Sequence, residues 1–412
     1  MTSPSHNRAA FSLPAGEAIP ELSGIQTRAL MVGGLFAVIS AIGFLTNREQ
    51  FMQSYLMGYM WVLGATLGSL ALAMVHQLSG GEWGVLIRRP ASAATRVLPL
   101  LTLLFLPIAL SVTHMYPWAS AHAGEHHDHV LQHKAVYLNV PFFLARAAVY
   151  FLIWNAIVFL LNKWGLQQDQ NPSPELAKRM QRFSAGGLVI YVLTMTFASL
   201  DWLMSLDPHW YSTMYGALVI GGQGLTAIVL MAIVTVWLSR RAPMDAVIVP
   251  QHTHDLGNLM LAFTMIWAYF SFSQYLIIWA GNLPAEIAWY MHRSFTSWKV
   301  LATILVFFHF AAPFTLLLFR GTKRKPNRII KVATLILFAR LVDFLWLVAP
   351  EFHHEGFSVS WMDVTLPLAL GGIWVWAFVG QLKSRAILPV NDPQFNETLG
   401  QILDGTRAHH AH

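Results

Sequence analysis

Long apolar stretches separated by short polar ones dominate this chain. Ten of them hold about 20 mainly apolar residues, the length that an α-helix needs to cross about 30 Å of hydrocarbon. The pattern predicts an all-α polytopic membrane protein with ten transmembrane spans. Numbered in chain order, the predicted spans are 27–46, 51–78, 96–115, 138–163, 183–205, 213–239, 257–281, 298–320, 329–350 and 361–382.

Polar segments flank this predicted transmembrane domain, which covers residues 27–382. Residues 1–26 lack the apolar core of a signal peptide, so we interpret them as an N-terminal tail. Residues 383–412 form a second tail that ends in a His-rich stretch, 408–412. We expect that stretch to be a disordered terminus and not a metal site.

The composition excludes several classes of protein. Hydrophobic residues make up 55% of the chain and charged residues 11%, whereas soluble domains carry about 25% charged residues. A soluble enzyme, a nucleic-acid binder and a disordered scaffold are therefore excluded. The chain has no Cys, so it forms no disulfide, no cysteine-ligated iron–sulfur cluster and no CxxCH haem attachment.

The basic residues predict how the chain faces the membrane. With ten spans, both tails lie on one side, and that side holds twenty of the 26 Lys and Arg. The opposite side holds four: Arg48, Lys134, Arg293 and Lys299. Cytoplasmic loops carry the excess of Lys and Arg, so we expect both tails in the cytoplasm.

The opposite, outer side carries ten of the 18 His. The loop 116–137 contains the cluster Glu-His-His-Asp-His at 125–129. This cluster suits either a metal site or a solvated loop that faces a partner protein. We favour the loop, because no second pair of ligands follows at a defined helical spacing.

Two charged residues lie in the outer half of neighbouring predicted spans, Arg146 in span 4 and Asp201 in span 5. A charge inside a membrane needs a partner or a function. One interpretation is a structural salt bridge between the two helices. The other is a polar pocket for a quinone head group or a proton exit, and His114 at the outer end of span 3 is a further candidate for that pocket.

A second group of ionisable residues is predicted near mid-membrane. Arg340 and Asp343 are three residues apart in span 9 and therefore share a helix face, and His309 lies in the middle of span 8. These residues have the chemistry of a buried proton relay, with Asp201 as a fourth candidate. The alternative is a simple Arg–Asp pair that pins two helices together.

A transmembrane haem b is not expected. It would need two His on facing helices at matching depth. His76 lies near the inner end of span 2 and His114 at the outer end of span 3, on opposite sides of the membrane, and His309 is alone at the centre. We therefore predict no metal redox centre of the chain's own. If the protein takes part in electron transfer, a quinone or a partner must carry the electrons.

Four separated motifs point to a family. They are ASLDWLMSLDPHWYSTMYG at 198–216, NLPAEIAWYMHR at 282–293, RLVDFLWLVAPEFHHEGFSVSWMD at 340–363 and LPVNDP at 388–393. With ten spans and two tails, they make the whole chain resemble the ActF-type second large membrane subunit of alternative complex III. This bacterial complex is a quinol:electron-acceptor oxidoreductase, and its subunit is similar to the NrfD-like (polysulfide reductase membrane subunit) family.

The resemblance implies two four-helix bundles with flanking helices in the inner membrane of a bacterium, and a role in proton translocation and complex assembly. The partners it implies are a multihaem and a monohaem cytochrome c and an iron–sulfur protein on the periplasmic side, membrane lipid, and a homologous membrane subunit with the principal quinol site. A quinone or quinol (menaquinone or ubiquinone) on this chain is implied only by the wider group. By position in the motifs, Asp343 with Arg340 is the first candidate pair and Asp201 the second.

Two further interpretations stay open. A secondary transporter working alone would show helices broken by Gly or Pro at corresponding positions in two halves. The chain has Pro141, Pro313 and Pro367 but no clear correspondence between halves. A purely structural anchor is expected if every buried charge belongs to a closed ion pair.

Overall fold

The computed structural model describes residues 14–120, 128–242 and 244–388. Within these ranges, ten helical spans are long and apolar enough to cross a membrane, which confirms the all-α polytopic fold. From here on, spans 1 to 10 are Glu21–Thr46, Arg48–Ser79, Leu86–Leu110, Val140–Gln170, Pro174–Leu206, Tyr215–Leu238, Pro250–Gly281, Lys299–Leu318, Pro326–Glu351 and Met362–Lys383.

The predicted start of span 3 at residue 96 is wrong, because helix already begins in the preceding segment. The predicted start at 96 leaves Arg88 and Arg89 in the preceding loop, because two charges interrupt the apolar pattern, yet both are helical and Arg89 is buried. Prolines, which lack a backbone N–H, interrupt this region. It is built from the short helices Glu82–Thr95, Leu98–Leu104, Leu106–Leu110 and Val112–Met115.

Several other spans extend beyond their predicted ends. Span 1 begins at Glu21 instead of 27, span 5 at Pro174 instead of 183, and span 7 at Pro250 instead of 257. Each extension is polar, so hydropathy alone gives no signal for it. At the start of span 5, the Ser173 side chain accepts a hydrogen bond from the Leu176 N–H, an N-cap that stabilises the first turn.

The two ends of the described chain meet. The Ala15 N–H donates to the Arg385 carbonyl oxygen at 2.8 Å, beside a bridge between Pro14 and Ala386. We call this side of the molecule the tail end and the other side the opposite end. Shorter helices outside the spans are Ala15–Ala18, Pro117–Ala119, His129–Lys134, Met244–Ala246, Pro284–Phe295 and Arg320–Lys323.

The spans form two four-helix bundles, as the family resemblance implied. Spans 2 to 5 make bundle A and spans 6 to 9 make bundle B, and spans 2 and 6 pack against each other between them. Spans 1 and 10 pair and flank span 2. The most apolar windows of spans 2 and 6 are 78% and 72% buried, against 17% in span 1. The core therefore lies along spans 2 and 6, and the outer spans present apolar faces outward, as lipid contact requires.

Glycines allow the closest contacts between spans. Gly33 of span 1 faces Gly372 of span 10, where a methyl group on Gly33 would lie 2.8 Å from the backbone nitrogen of Ile373. Gly68 of span 2 lies against the backbone carbonyl of Gln223 in span 6, with no room for a methyl group. Without a hydrophobic drive between helices in lipid, such small residues let the backbones approach.

We expect Gly68→Ala to destabilise the protein by about 1–3 kcal/mol, because the added methyl would push spans 2 and 6 apart. Gly64→Ala, one turn earlier, is the matched control, since its methyl would meet only the Gln223 side chain at an ordinary 3.5 Å. Unfolding by SDS titration in mixed micelles measures both. Equal stability of the two variants would contradict the close crossing at Gly68.

Candidate functional site: buried charges in the two bundles

Bundle B contains a buried ion pair between Arg340 and Asp343 of span 9. The two residues are 1% and 2% exposed. The Asp343 carboxylate also accepts a hydrogen bond from the Trp267 indole at 3.2 Å, and the Arg340 Nε donates to the Thr226 hydroxyl at 3.3 Å. Spans 6, 7 and 9 therefore all contribute to the pair.

Room for the Arg340 guanidinium comes from Gly222 of span 6, where a methyl group would overlap it. The guanidinium also lies 5.0 Å from the Phe344 ring centroid. Arg340 is thus held between a carboxylate, a hydroxyl and an aromatic ring. A cation in this position keeps a negative carboxylate in a place where an isolated charge would be costly.

His309 completes this group from span 8. It is fully buried, and its ring centroid lies 3.8 Å from that of Trp267, which also bonds Asp343. Neither ring nitrogen of His309 has a hydrogen-bond partner among the residues that the structure describes. The surrounding segment Leu305–Ala311 is a π-helix, a form that often marks functional sites.

The structure thus brings together the three predicted relay residues of bundle B, with Trp267 between His309 and Asp343. We call Arg340, Asp343, His309 and Trp267 the bundle B cluster. Sequence reasoning missed Trp267, because an indole in an apolar span gives no signal of which neighbour it faces. Whether these residues move protons stays a prediction.

Bundle A contains a separate ion pair between Arg146 and Asp201. The guanidinium donates through Nε at 2.8 Å and through a terminal nitrogen at 2.9 Å, so the pair is bidentate. The Tyr150 hydroxyl donates to the same carboxylate at 2.8 Å. Asp201 is completely buried. The Tyr137 and Phe142 rings cover the guanidinium, with centroids 3.8 and 4.3 Å from its carbon.

The third predicted pocket residue, His114, does not join this pair. It is exposed, and its Nδ1 bonds the neighbouring Thr113 hydroxyl at 3.2 Å. It lines a cavity of about 160 Å³ that neither Arg146 nor Asp201 lines. A quinone pocket at Arg146 and Asp201 stays a prediction, and a ligand there would have to open the bidentate pair.

Sequence reasoning also missed two polar groups at the opposite end. Asp363 of span 10 accepts hydrogen bonds from Ser54 at 2.6 Å and Gln50 at 3.2 Å in span 2. Buried Arg293 donates to Glu351 at 2.7 Å. Burial lowers the pKa of Arg293, and the Glu351 charge opposes that shift. The partners lie up to 313 residues apart, so no local pattern connects them.

The described part of the His-rich loop packs on the loop after span 5. His209 bonds the Asp128 carboxylate at 2.6 Å, and this hydrogen bond is the main cause of the lowered pKa of Asp128. Because that pKa is lowered, we expect Asp128 to be ionised and bonded to His209 at neutral pH, and the contact to be lost when acidification protonates Asp128.

His126 and His127 lie outside the described residues. Within 14–120, 128–242 and 244–388, no group of three or more His, Asp or Glu is placed to hold a metal ion.

Comparisons with known proteins give no assignment for this chain. No model of a known protein family matches it. A search of curated proteins also finds no match.

Proposed function

We propose that this chain is a membrane subunit of a respiratory quinol:electron-acceptor oxidoreductase of the alternative complex III type, where it contributes to proton translocation and assembly. The four motifs of the family resemblance support the complex. The observation that carries the proton role is the bundle B cluster, where an ion pair and an imidazole without a hydrogen-bond partner among the described residues meet around Trp267.

The chemistry of the cluster suits a gated proton path. Neutral His309 can accept a proton on its unprotonated ring nitrogen, and Asp343 can release or take one if Arg340 moves. The π-helical segment Leu305–Ala311 holds His309 in a helix turn wider than that of an α-helix, a feature frequent at functional sites. Electrons have no carrier in this proposal except a quinone or the haem and iron–sulfur partners.

The proposed setting follows from the charge distribution. The tail end carries most of the Lys and Arg and would face the cytoplasm of a bacterium. The opposite end, with its His-rich and aromatic loops, would face the cytochrome c subunits and the iron–sulfur protein. The homologous membrane subunit would supply the principal quinol site.

A structural anchor is the second candidate function. The closed, bidentate pair between Arg146 and Asp201 favours it, since every oxygen of that carboxylate is already bonded. His309 separates the two candidates, because an anchor has no use for a buried imidazole whose nitrogens have no hydrogen-bond partner in the described part of the chain.

The experiment is His309→Leu in the tagged chain, purified from native membranes with its partners, stained for haem and reconstituted in liposomes. Because this change removes a buried polar group without a hydrogen-bond partner among the described residues, we expect the free energy of unfolding to stay the same or to rise by about 1 kcal/mol. We expect quinol oxidation to continue and the number of protons moved per electron to fall. Ile336→Leu, a buried apolar exchange in span 9, is the control.

Two outcomes would contradict the proposal. If the chain purifies alone, without haem proteins or quinol oxidation, the proposal of a respiratory complex is wrong. A secondary transporter would then be the interpretation to test. An unchanged proton-to-electron ratio in His309→Leu would keep the complex but leave the chain as an anchor.

A further inference from the structure

A polar cavity lies at the tail end, far from the cluster in bundle B. Its volume is about 60 Å³, and spans 2, 3 and 4 and the segment after span 10 line it. One water needs about 10–15 Å³, so a few waters or one small oxyanion fit. The charged residues in the lining are Arg88, Arg89, Asp169 and Arg385.

The lining has more hydrogen-bond donors than acceptors. Arg89 Nε and Gln168 Nε2 are buried without a hydrogen-bond partner among the described residues. The two residues are 8% and 2% exposed. Arg385 makes two long hydrogen bonds to Asn162, at 3.3 Å to its backbone oxygen and 3.4 Å to its side-chain oxygen. Each donor left unbonded inside the protein is costly, so the cavity favours a ligand rich in acceptors.

The lining also concentrates positive charge. Three arginines and one carboxylate, Asp169, line the cavity, and Asp169 pairs with Arg89. Burial lowers the pKa of Arg385, the nearby charge of Arg89 lowers it further, and Asp169 opposes both effects. Arginines that repel one another around a cavity are stabilised by a bound anion, and guanidinium groups match phosphate oxygens in geometry.

We propose that this cavity binds a phosphate-type oxyanion through Arg385, Arg88 and the free donors of Arg89 and Gln168. The ligand is either the headgroup of an anionic phospholipid or a free phosphate. Basic pockets between transmembrane helices at the membrane surface suit such headgroups. The site joins spans 3 and 4 to the end of span 10, so the ligand would fasten bundle A to the flanking helix. This inference does not depend on the proposed respiratory function.

The test uses the full chain, purified with its partners and stripped of lipid by detergent exchange. Phosphatidylglycerol in mixed micelles and inorganic phosphate are the probes, with diacylglycerol as the phosphate-free control. The midpoint of thermal unfolding of this chain is followed, and bound lipid is counted by native mass spectrometry. We expect the midpoint to rise with at least one probe and not with diacylglycerol.

Arg385→Gln is expected to weaken that response about tenfold in apparent affinity, since one charge-assisted contact is lost. Arg88→Gln is the second variant, and the exposed Arg182→Gln at the same end is the matched control. A response to phosphatidylglycerol alone identifies the headgroup, and a response to inorganic phosphate as well identifies a free oxyanion. Equal responses in Arg385→Gln and Arg182→Gln, or none to either probe, would overturn the site.

Discussion

Asp343→Asn is expected to abolish proton translocation while the partner subunits continue to oxidise quinol. Asn has the size of Asp, and its side-chain oxygen can still accept the hydrogen bond from Trp267. Its amide cannot bind and release a proton as the carboxylate does. Electron transfer has no step through this residue in the proposed complex. The ratio of protons to electrons in reconstituted vesicles measures the effect, with quinol oxidation followed in the same sample.

The same variant also has a structural cost that must be separated from the proton effect. It leaves the buried Arg340 guanidinium without its carboxylate, and removing one partner of a buried pair costs about 3–5 kcal/mol. The double variant Arg340→Gln with Asp343→Asn removes both charges and should recover most of that stability. Recovery of stability without recovery of proton movement would show that the proton effect comes from losing the charged pair and not from misfolding.

Asp363→Asn is the control for this experiment. Asp363 is another buried carboxylate of a span, but its hydrogen-bond partners Ser54 and Gln50 are neutral and belong to span 2 of bundle A. We expect this variant to keep its proton-to-electron ratio. A folded Asp343→Asn variant with an unchanged ratio would mean that Arg340 and Asp343 only fasten the helix.

Hydropathy predicts the spans well because each must satisfy its own backbone hydrogen bonds in lipid. It fails where a helix carries charge at the membrane surface, as in span 3, whose helix holds Arg88 and Arg89. It also fails where helix geometry changes without a change in composition. The π-helix around His309 is an apolar segment like its neighbours, so its altered winding has no signature in the sequence.

Two features of the sequence predicted parts of the candidate site: the spacing of residues within one helix and their depth in the membrane. The contacts between different helices could not be predicted. The interval of three residues places Arg340 and Asp343 on one face, and the structure pairs them. The position of Trp267 between Asp343 and His309 depends on how spans 7, 8 and 9 rotate against one another. That rotation is set by packing along the whole length of each helix, which a single sequence does not display.

Arg146→Gln is expected to destabilise the protein more than Asp201→Asn, by about 3–5 against about 1–3 kcal/mol. After Arg146→Gln, the Asp201 carboxylate stays fully buried and loses its cation, while the Tyr150 hydroxyl still donates to it. After Asp201→Asn, the Arg146 guanidinium keeps the Tyr137 carbonyl at 2.9 Å and two aromatic faces. SDS titration of each single variant and of the double variant measures both costs and their coupling.

The double variant also decides between a salt bridge and a quinone pocket in bundle A. If the pair only joins spans 4 and 5, removing both charges should restore much of the stability and leave quinol oxidation and quinone binding unchanged. If a quinone head group binds there, the double variant should lose bound quinone even when it is folded. We expect the first result, because the carboxylate oxygens of Asp201 already bond Arg146 and Tyr150. A quinone could enter only by breaking those bonds inside the membrane, where water does not replace them.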